Sequence, residues 1–192
     1  WIIKLQKPAN VESFFKKRAN VTLEIGFGMG DTLINSAVEN PTDNFIGIEV
    51  YKSGIGRVLN KIEELGIKNI RLIEGDAVEI NKNIFVDNSF KNIHLFFPDP
   101  WPKKKHHKRR IIQKSFVDSI ANNLMISGCF HCATDNENYA EQMLTALTDC
   151  KHLTNLADGF SKRPADRVVS KFEKRALDSN RKIFNLSFIK EM

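Results

Sequence analysis

The densest chemistry in this chain lies in one run, Phe96-Phe97-Pro98-Asp99-Pro100-Trp101-Pro102-Lys103-Lys104-Lys105-His106-His107-Lys108-Arg109-Arg110. Prolines at alternate positions restrict φ and stiffen the run, so Asp99 and Trp101 are held in place. A tryptophan offers a flat face to a nucleic-acid base. A carboxylate beside it can orient the base or answer a positive charge that develops on it. The lysines and arginines that follow suit a phosphate backbone. A rigid turn, a Trp on a core edge and a solvated basic loop are the plainer readings of the three parts, but none of them accounts for their contiguity. His106 and His107 have no carboxylate or Cys nearby in sequence, so no metal site is expected there.

A second set of residues is acidic and spread along the chain. Glu24 stands in an apolar run just before Gly26-Phe27-Gly28-Met29-Gly30, Glu49 closes the next apolar run, and Asp76 follows the third. The glycines Gly26, Gly28 and Gly30 allow a tight turn and a close approach of backbone to ligand. A carboxylate at the end of a second strand can accept the ribose hydroxyl protons of a nucleoside cofactor. One after the third strand can take an adenine amino group, and one beside the first turn suits an ammonium or sulfonium charge. The turn is no dinucleotide fingerprint, because the third glycine comes one residue early and Asp31 occupies the last position. A carboxylate there would repel a pyrophosphate. S-adenosylmethionine carries no phosphate and has a positive sulfonium, so an acid-lined pocket favours it.

The elements that must position these groups alternate. Strands are expected at Val21 to Ile25, Asn44 to Val50, Ile70 to Ile73, Asn92 to Phe97, Cys129 to Thr134 and Ile183 to Ile189. Helices are expected at about Thr32 to Glu39 with Asp31 as N-cap, and from a Ser53 cap to about Leu65 with Gly66 as stop. Two more are expected at about Arg110 to Met125 and Asn136 to Leu147. Repeated strand-then-helix units imply an α/β fold, a mostly parallel sheet with helices on both faces. After Cys150 the chain reads as basic and loop-rich until the last strand. Residues 1–20 read as a polar N-terminal arm and residues 21–192 as a single domain. The chain lacks an initiator Met, which leaves room for residues ahead of Trp1.

Composition sets outer bounds. With 42% hydrophobic and 27% charged residues the chain is an ordinary globular one. No apolar run approaches the ~20 residues that span a bilayer, and no signal-peptide pattern opens the chain, so a cytoplasmic protein is expected. The formal net charge is +6, and the basic cluster from Lys103 to Arg110 carries as much by itself, a footprint suited to RNA. Cys129, Cys132 and Cys150 make no disulfide framework. Cys129 and Cys132 lie on an expected strand, where side chains three apart face opposite ways, so no zinc or redox pair is expected.

The run Pro98 to Arg110 resembles the signature of the bacterial tRNA (guanine-N7-)-methyltransferases. Leu23-Glu24-Ile25-Gly26-Phe27-Gly28-Met29-Gly30 is similar to that family's first motif, and Thr134-Asp135-Asn136-Glu137 and Ser170-Lys171-Phe172-Glu173-Lys174-Arg175 to its two later ones. The resemblance spans about Val21 to Met192. It implies a Rossmann-like class I methyltransferase with a seven-stranded sheet whose last strand is inserted antiparallel. It implies that Glu24, Glu49, Asp76 and Asp99 bind S-adenosylmethionine, with Asp99 also catalytic. Lys103, Asp135, Ser170, Lys171, Phe172 and Glu173 would contact the guanosine, and Lys105, His106, His107, Lys108, Arg109 and Arg110 would grip the tRNA. The product would be N7-methylguanosine in the variable loop. The family usually carries Thr, Pro and Gly where Ser170, Val168 and Ala176 stand, and the segment before Val21 is short for it. An amino-group methyltransferase and a non-catalytic RNA-binding protein on the same fold remain open alternatives, and Asp31 counts against a dehydrogenase. Monomer and homodimer are both compatible with the sequence.

Overall fold

The expected alternation closes into one sheet in a computed structural model that describes residues 1–5, 8–164 and 167–191. In chain order the elements are β1 (Val21–Ile25), α1 (Asp31–Glu39), β2 (Asn44–Glu49), α2 (Lys52–Glu64), β3 (Ile70–Glu74), α3 (Ala77–Asn83) and β4 (Phe90–Phe96). They continue with α4 (Lys114–Asn123), β5 (Leu124–Thr134), α5 (Glu137–Thr148), β6 (Leu153–Asn155), α6 (Lys171–Asp178) and β7 (Phe184–Lys190). The strand order is β3-β2-β1-β4-β5-β7-β6. Neighbours from β3 to β5 run parallel, and β7 lies antiparallel between β5 and β6. The strand pattern leads one to expect a mostly parallel sheet, and the seven strands with the last inserted antiparallel are those the family resemblance implies; β6 is an addition to the six strands read from the residues.

Alternation along each strand divides the core. Ile25, Ile46, Ile48, Ile93, Leu95 and Phe130 join Phe116, Ile120 and Tyr139 of α4 and α5 on one face. Phe45 joins Leu33, Ile55 and Val58 of α1 and α2 on the other. Each such side chain, once buried, contributes ~1.5–3 kcal/mol. Between β1 and β4 the strand order reverses, and this is where an open parallel sheet forms its crevice. Among the described residues no helix is long and apolar enough to cross a membrane.

Several boundaries differ from the sequence reading, each for a local reason. Helix α1 begins at Asp31, with Gly30 at the N-cap in a left-handed conformation, φ 79°. Asp31 does not cap it; its carboxylate pairs with Arg57 of α2 at 2.7 Å. Helix α2 starts at Lys52, so Ser53 is already inside it. Helix α4 starts at Lys114 because Arg110 to Gln113 run outside it, and β5 begins at Leu124 where that helix stops. Helices α3 and α6 are additions to the sequence reading, and both open on a side-chain cap: Asp76 accepts from the amides of Val78 and Glu79, and Ser170 from that of Glu173.

The N-terminal segment is laid along the sheet edge. The amide of Ile3 donates to the carbonyl of Leu72 at 2.9 Å and that of Leu72 to Trp1 at 3.0 Å. The Arg71 guanidinium sits 5.1 Å from the Trp1 ring and 5.0 Å from the Phe15 ring. Val11 is buried in the main core.

One glycine outside the turn brings helix and turn together. A Cβ on Gly54 of α2 would lie 2.0 Å from the carbonyl oxygen of Gly28. Gly54→Ala should therefore force apart α2 and the turn, costing ~1–3 kcal/mol as overpacking does. The urea midpoint should fall with an unchanged m-value; an unchanged midpoint would mean that the turn yields freely.

Candidate active site

At the carboxyl ends of β1, β2, β3 and β4 two cavities adjoin. The larger, about 550 Å³, is lined by Glu49, Asp76, Phe97, Asp99, Trp101 and Gln113 among others. The smaller, about 260 Å³, takes in Glu24, Gly28, Asp31, Tyr51, Ser170 and Arg175. Gly26, Phe96 and Phe97 belong to both walls.

The turn after β1 holds Gly26, Gly28 and Gly30 at φ 68°, 55° and 79°, all left-handed. Its shape is locked from β2. Glu49 accepts from the amide of Gly28 at 2.7 Å through Oε2, and from those of Val50 at 2.8 Å and Tyr51 at 3.1 Å through Oε1. A carboxylate so held is preorganised; Oε1 is filled by two amides, and Oε2 retains a lone-pair site for a ligand hydroxyl. Asp76 caps α3 with Oδ1 and lines the larger cavity.

Glu24 is only 5% exposed. Burial, then the negative charges of Asp31 and Glu49, push its carboxyl up to about 8. Its register partner on β4 is His94. Burial, with His131 and Arg167 nearby, pushes that imidazole down to about 3, so it stays neutral and supplies no cation. The smaller cavity therefore has an acidic floor.

The other wall is the turn after β4. Phe97 and Trp101 take left-handed φ values of 53° and 42°, a conformation that costs a non-glycine residue of order 1–3 kcal/mol. Asp99 stands between them, exposed. The Trp101 ring has the Arg109 guanidinium 5.0 Å from its centroid and meets His106 edge-on at 5.8 Å. Residues Lys104–Arg109 form a short 3-10 helix. Lys103, Lys104, Lys105, Lys108 and Arg109 are exposed on it or at its start, while His106 and His107 are half-buried.

Arg110 departs from expectation. Read as part of the RNA grip, it is 2% exposed and turned inward, held by Pro100, Gln142 and Asn138. Its donors are already engaged, so a phosphate would have to displace these partners.

The later motifs are split. Ser170 lines the smaller cavity while capping α6. Glu173 is 1% exposed, and its Oε1 accepts from Arg163 at 2.8 Å and Arg167 at 2.7 Å. Its Oε2 has no hydrogen-bond partner among the described residues. Asp135 pairs with Arg181 at 2.5 Å. Lys103, Asp135 and Glu173 are not in either cavity wall, and the side chains of Lys171 and Phe172 lie outside the described ones. Glu24, Gly26, Gly28, Gly30, Glu49, Asp76, Asp99 and Ser170 do converge. Tyr51 and Arg175 join them without a sequence signal of their own. Tyr51 is marked only by following Glu49 by two residues, and Arg175 only by closing the Ser170 motif.

Cys129 and Cys132 are free, the second buried. Among the described residues no group of three His, Cys, Asp or Glu side chains could hold a metal.

The fold and the crevice at its switch point define a Rossmann-like methyltransferase. The solved 16S rRNA methyltransferase KamB shares this fold at TM-score 0.67 and 13% identity, over 97% of this chain and 96% of that one. A family model described as "Putative methyltransferase" matches residues 18–186. The tRNA (guanine-N(7)-)-methyltransferase of Buchnera aphidicola subsp. Acyrthosiphon pisum (strain Tuc7) is 46% identical over 93% of this chain and 76% of its own length. That of Francisella philomiragia subsp. philomiragia is 45% identical over 96% of this chain and 80% of its own. The chain belongs to the tRNA (guanine-N(7)-)-methyltransferase family.

The raised Glu24 carboxyl carries a stability prediction. Its pKa in the folded chain, about 8, lies above the ordinary 4.5. The folded state thus holds a proton that the unfolded state has lost, and stability falls as pH rises through that interval. The contribution is fully present below the ordinary value and gone once pH has passed the folded one. Denaturation of Glu24→Gln between about pH 5 and about pH 9 should show a flatter stability profile than the unaltered chain; identical profiles would place the raised carboxyl elsewhere.

Proposed function

We propose that the chain transfers the methyl group of S-adenosylmethionine to N7 of a guanosine in tRNA, in the variable loop as the family resemblance implies. The observation that carries this reading is the set of three carboxylates, Glu24, Glu49 and Asp76, ringing a crevice that opens directly onto Asp99, Trp101 and a basic helix.

The residues present suit this cofactor. When bound, S-adenosylmethionine supplies an electrophilic methyl group on a positive sulfonium. The left-handed glycine turn lets backbone come close to its amino-acid part, and the buried Glu24 below the turn favours a cation over an anion. Glu49, already aligned by three amides, offers its remaining Oε2 site to a ribose hydroxyl. Asp76 stands where the adenine edge would lie.

Guanine N7 bears an in-plane lone pair and no proton, so the displacement requires no general base. The protein's task is alignment, to which well-oriented reactants can contribute ~7–11 kcal/mol. Asp99, fixed by the strained turn, orients the base through its N–H groups and answers the positive charge of the methylated ring. Ser170 and Asp135 border the guanine, with Lys103 at the nucleotide. The motif stretch Lys171 to Glu173 supports this side, Glu173 by anchoring α6 through Arg163 and Arg167. Lys105, His106, His107, Lys108 and Arg109 face the tRNA backbone. tRNA as partner sets the work of the chain in the cytoplasm.

Incubation with labelled cofactor and unmodified tRNA, followed by nucleoside mass analysis and N7-specific strand cleavage, tests the reading. Label is expected in N7-methylguanosine. Label on an exocyclic amine would make the chain an amino-group methyltransferase, and RNA binding without transfer would make it a non-catalytic binder. Asp99→Ala should lower transfer by roughly 10²-fold or more, as loss of a charge-stabilising group does, with a smaller effect on cofactor affinity. Near-normal turnover would remove Asp99 from the mechanism. Neutralising Lys105, Lys108 and Arg109 should weaken tRNA binding and flatten its salt dependence, the slope falling by about one for each phosphate no longer engaged. An unchanged slope would leave these residues as solvated surface.

A further inference from the structure

We propose that Arg110 is a positioning residue for methyl transfer, a buried clamp that ties the Asp99 turn to helix α5 and makes no contact with RNA. This rests on the reading of the chain as a tRNA methyltransferase and deepens it.

Arg110 closes a run of basic residues, yet it alone among the lysines and arginines of that run is buried. Its Nε donates to the carbonyl oxygen of Pro100 at 2.8 Å. Its Nη1 donates to Gln142 Oε1 at 2.6 Å and its Nη2 to Asn138 Oδ1 at 2.9 Å, with His107 Nε2 3.1 Å away. The guanidinium lies 4.7 Å from the centroid of the Tyr139 ring. Tyr139 is itself fully buried and accepts the amide of Ile112 at 3.2 Å. Asn138, Tyr139 and Gln142 all stand on α5, so one side chain joins that helix to a single carbonyl between Asp99 and Trp101.

What is clamped explains why a clamp is needed. The turn contains two left-handed non-glycine residues, Phe97 and Trp101, on either side of Asp99. Such conformations persist only where surrounding contacts over-determine them. Phe97 is tied to β5 by its amide, which donates to Ala133 at 2.7 Å. Pro100 has no amide hydrogen, so its carbonyl is its sole backbone hydrogen-bonding group, and Arg110 takes it. No carboxylate hydrogen-bonds this guanidinium among the described residues. Its partners are neutral oxygens and an imidazole, an arrangement that fixes geometry without neutralising charge. A phosphate could reach it only by displacing these partners. Lysine has one nitrogen and cannot reproduce the fork.

The test compares Arg110→Ala, Arg110→Lys and Gln142→Leu with the unaltered chain, in a Trp1→Phe background where Trp101 is the sole tryptophan. Gln142→Leu removes a clamp partner that lies in neither cavity wall, so it reports even if Arg110→Ala fails to fold. The expected result is a loss in kcat approaching 10²-fold for Arg110→Ala, the order that about 1 Å of misplacement costs. Gln142→Leu should show a smaller loss and Arg110→Lys should recover part of the rate. KM for tRNA and the slope of affinity against salt should stay as in the parent, and Trp101 emission should shift in each variant. Weaker tRNA binding with a slope lower by about one and unchanged kcat would make Arg110 a phosphate contact and overturn the proposal, as would unchanged kcat and emission. If the parent itself transfers no methyl group, the functional reading fails, and Trp101 emission still decides the clamp.

Discussion

A carboxyl group buried without a cation is the constraint around which this crevice is arranged. Glu24 lies under the glycine turn with Asp31 and Glu49 as its charged neighbours, and both are acids. The charged form is disfavoured by burial and by repulsion. Arg57 answers Asp31 and backbone amides answer Glu49, whereas Glu24 makes no ion pair among the described residues, and Arg175, which shares its cavity wall, leaves its carboxyl raised. A ligand that brings a cation to this floor gains what the protein withholds, and one that brings a pyrophosphate is repelled. The same logic ties the turn to its supports. Gly54 lets α2 reach Gly28, Gly28 donates to Glu49, and Glu49 ends the strand beside β1.

The opposite wall reverses the sign. Lysines and Arg109 stand exposed along a short helix that begins just past Trp101. Acid at the floor and base at the rim suit two partners of opposite charge, a sulfonium below and a polynucleotide above. Between them the strained Asp99 turn is held from two directions, by β5 through Phe97 and by α5 through Arg110. The site thus gains its rigidity from elements far from it in sequence.

That distance explains what is legible in the sequence and what is not. Strands β1 to β4 can be read because each is a short apolar run ended by a turn residue, and the order of Glu24, Glu49 and Asp76 at their ends points to a nucleoside cofactor that brings a positive charge. The start of α4 is misread from sequence because Ile111 and Ile112 carry helical spacing, while their real conformation is set by Arg110 and Tyr139, across 27 residues or more. Arg110 itself looks like one more cation in a basic run; burial alone distinguishes it, and burial is not a local property. Helices α3 and α6 escape the apolar periodicity, although Asp76-Ala77-Val78-Glu79 and Ser170-Lys171-Phe172-Glu173 have the form of capping boxes. In the second case the motif invites a reading in terms of ligand chemistry, and the structure employs Ser170 and Glu173 first to build the helix.

Isothermal titration of S-adenosylmethionine near neutral pH, in buffers of different ionisation enthalpy, tests this account most directly. Arrival of the cation should drive Glu24 to ionise, so binding should release most of one proton per cofactor, and Glu24→Gln should release none. Binding with no proton release, or with the same release in the variant, would contradict it.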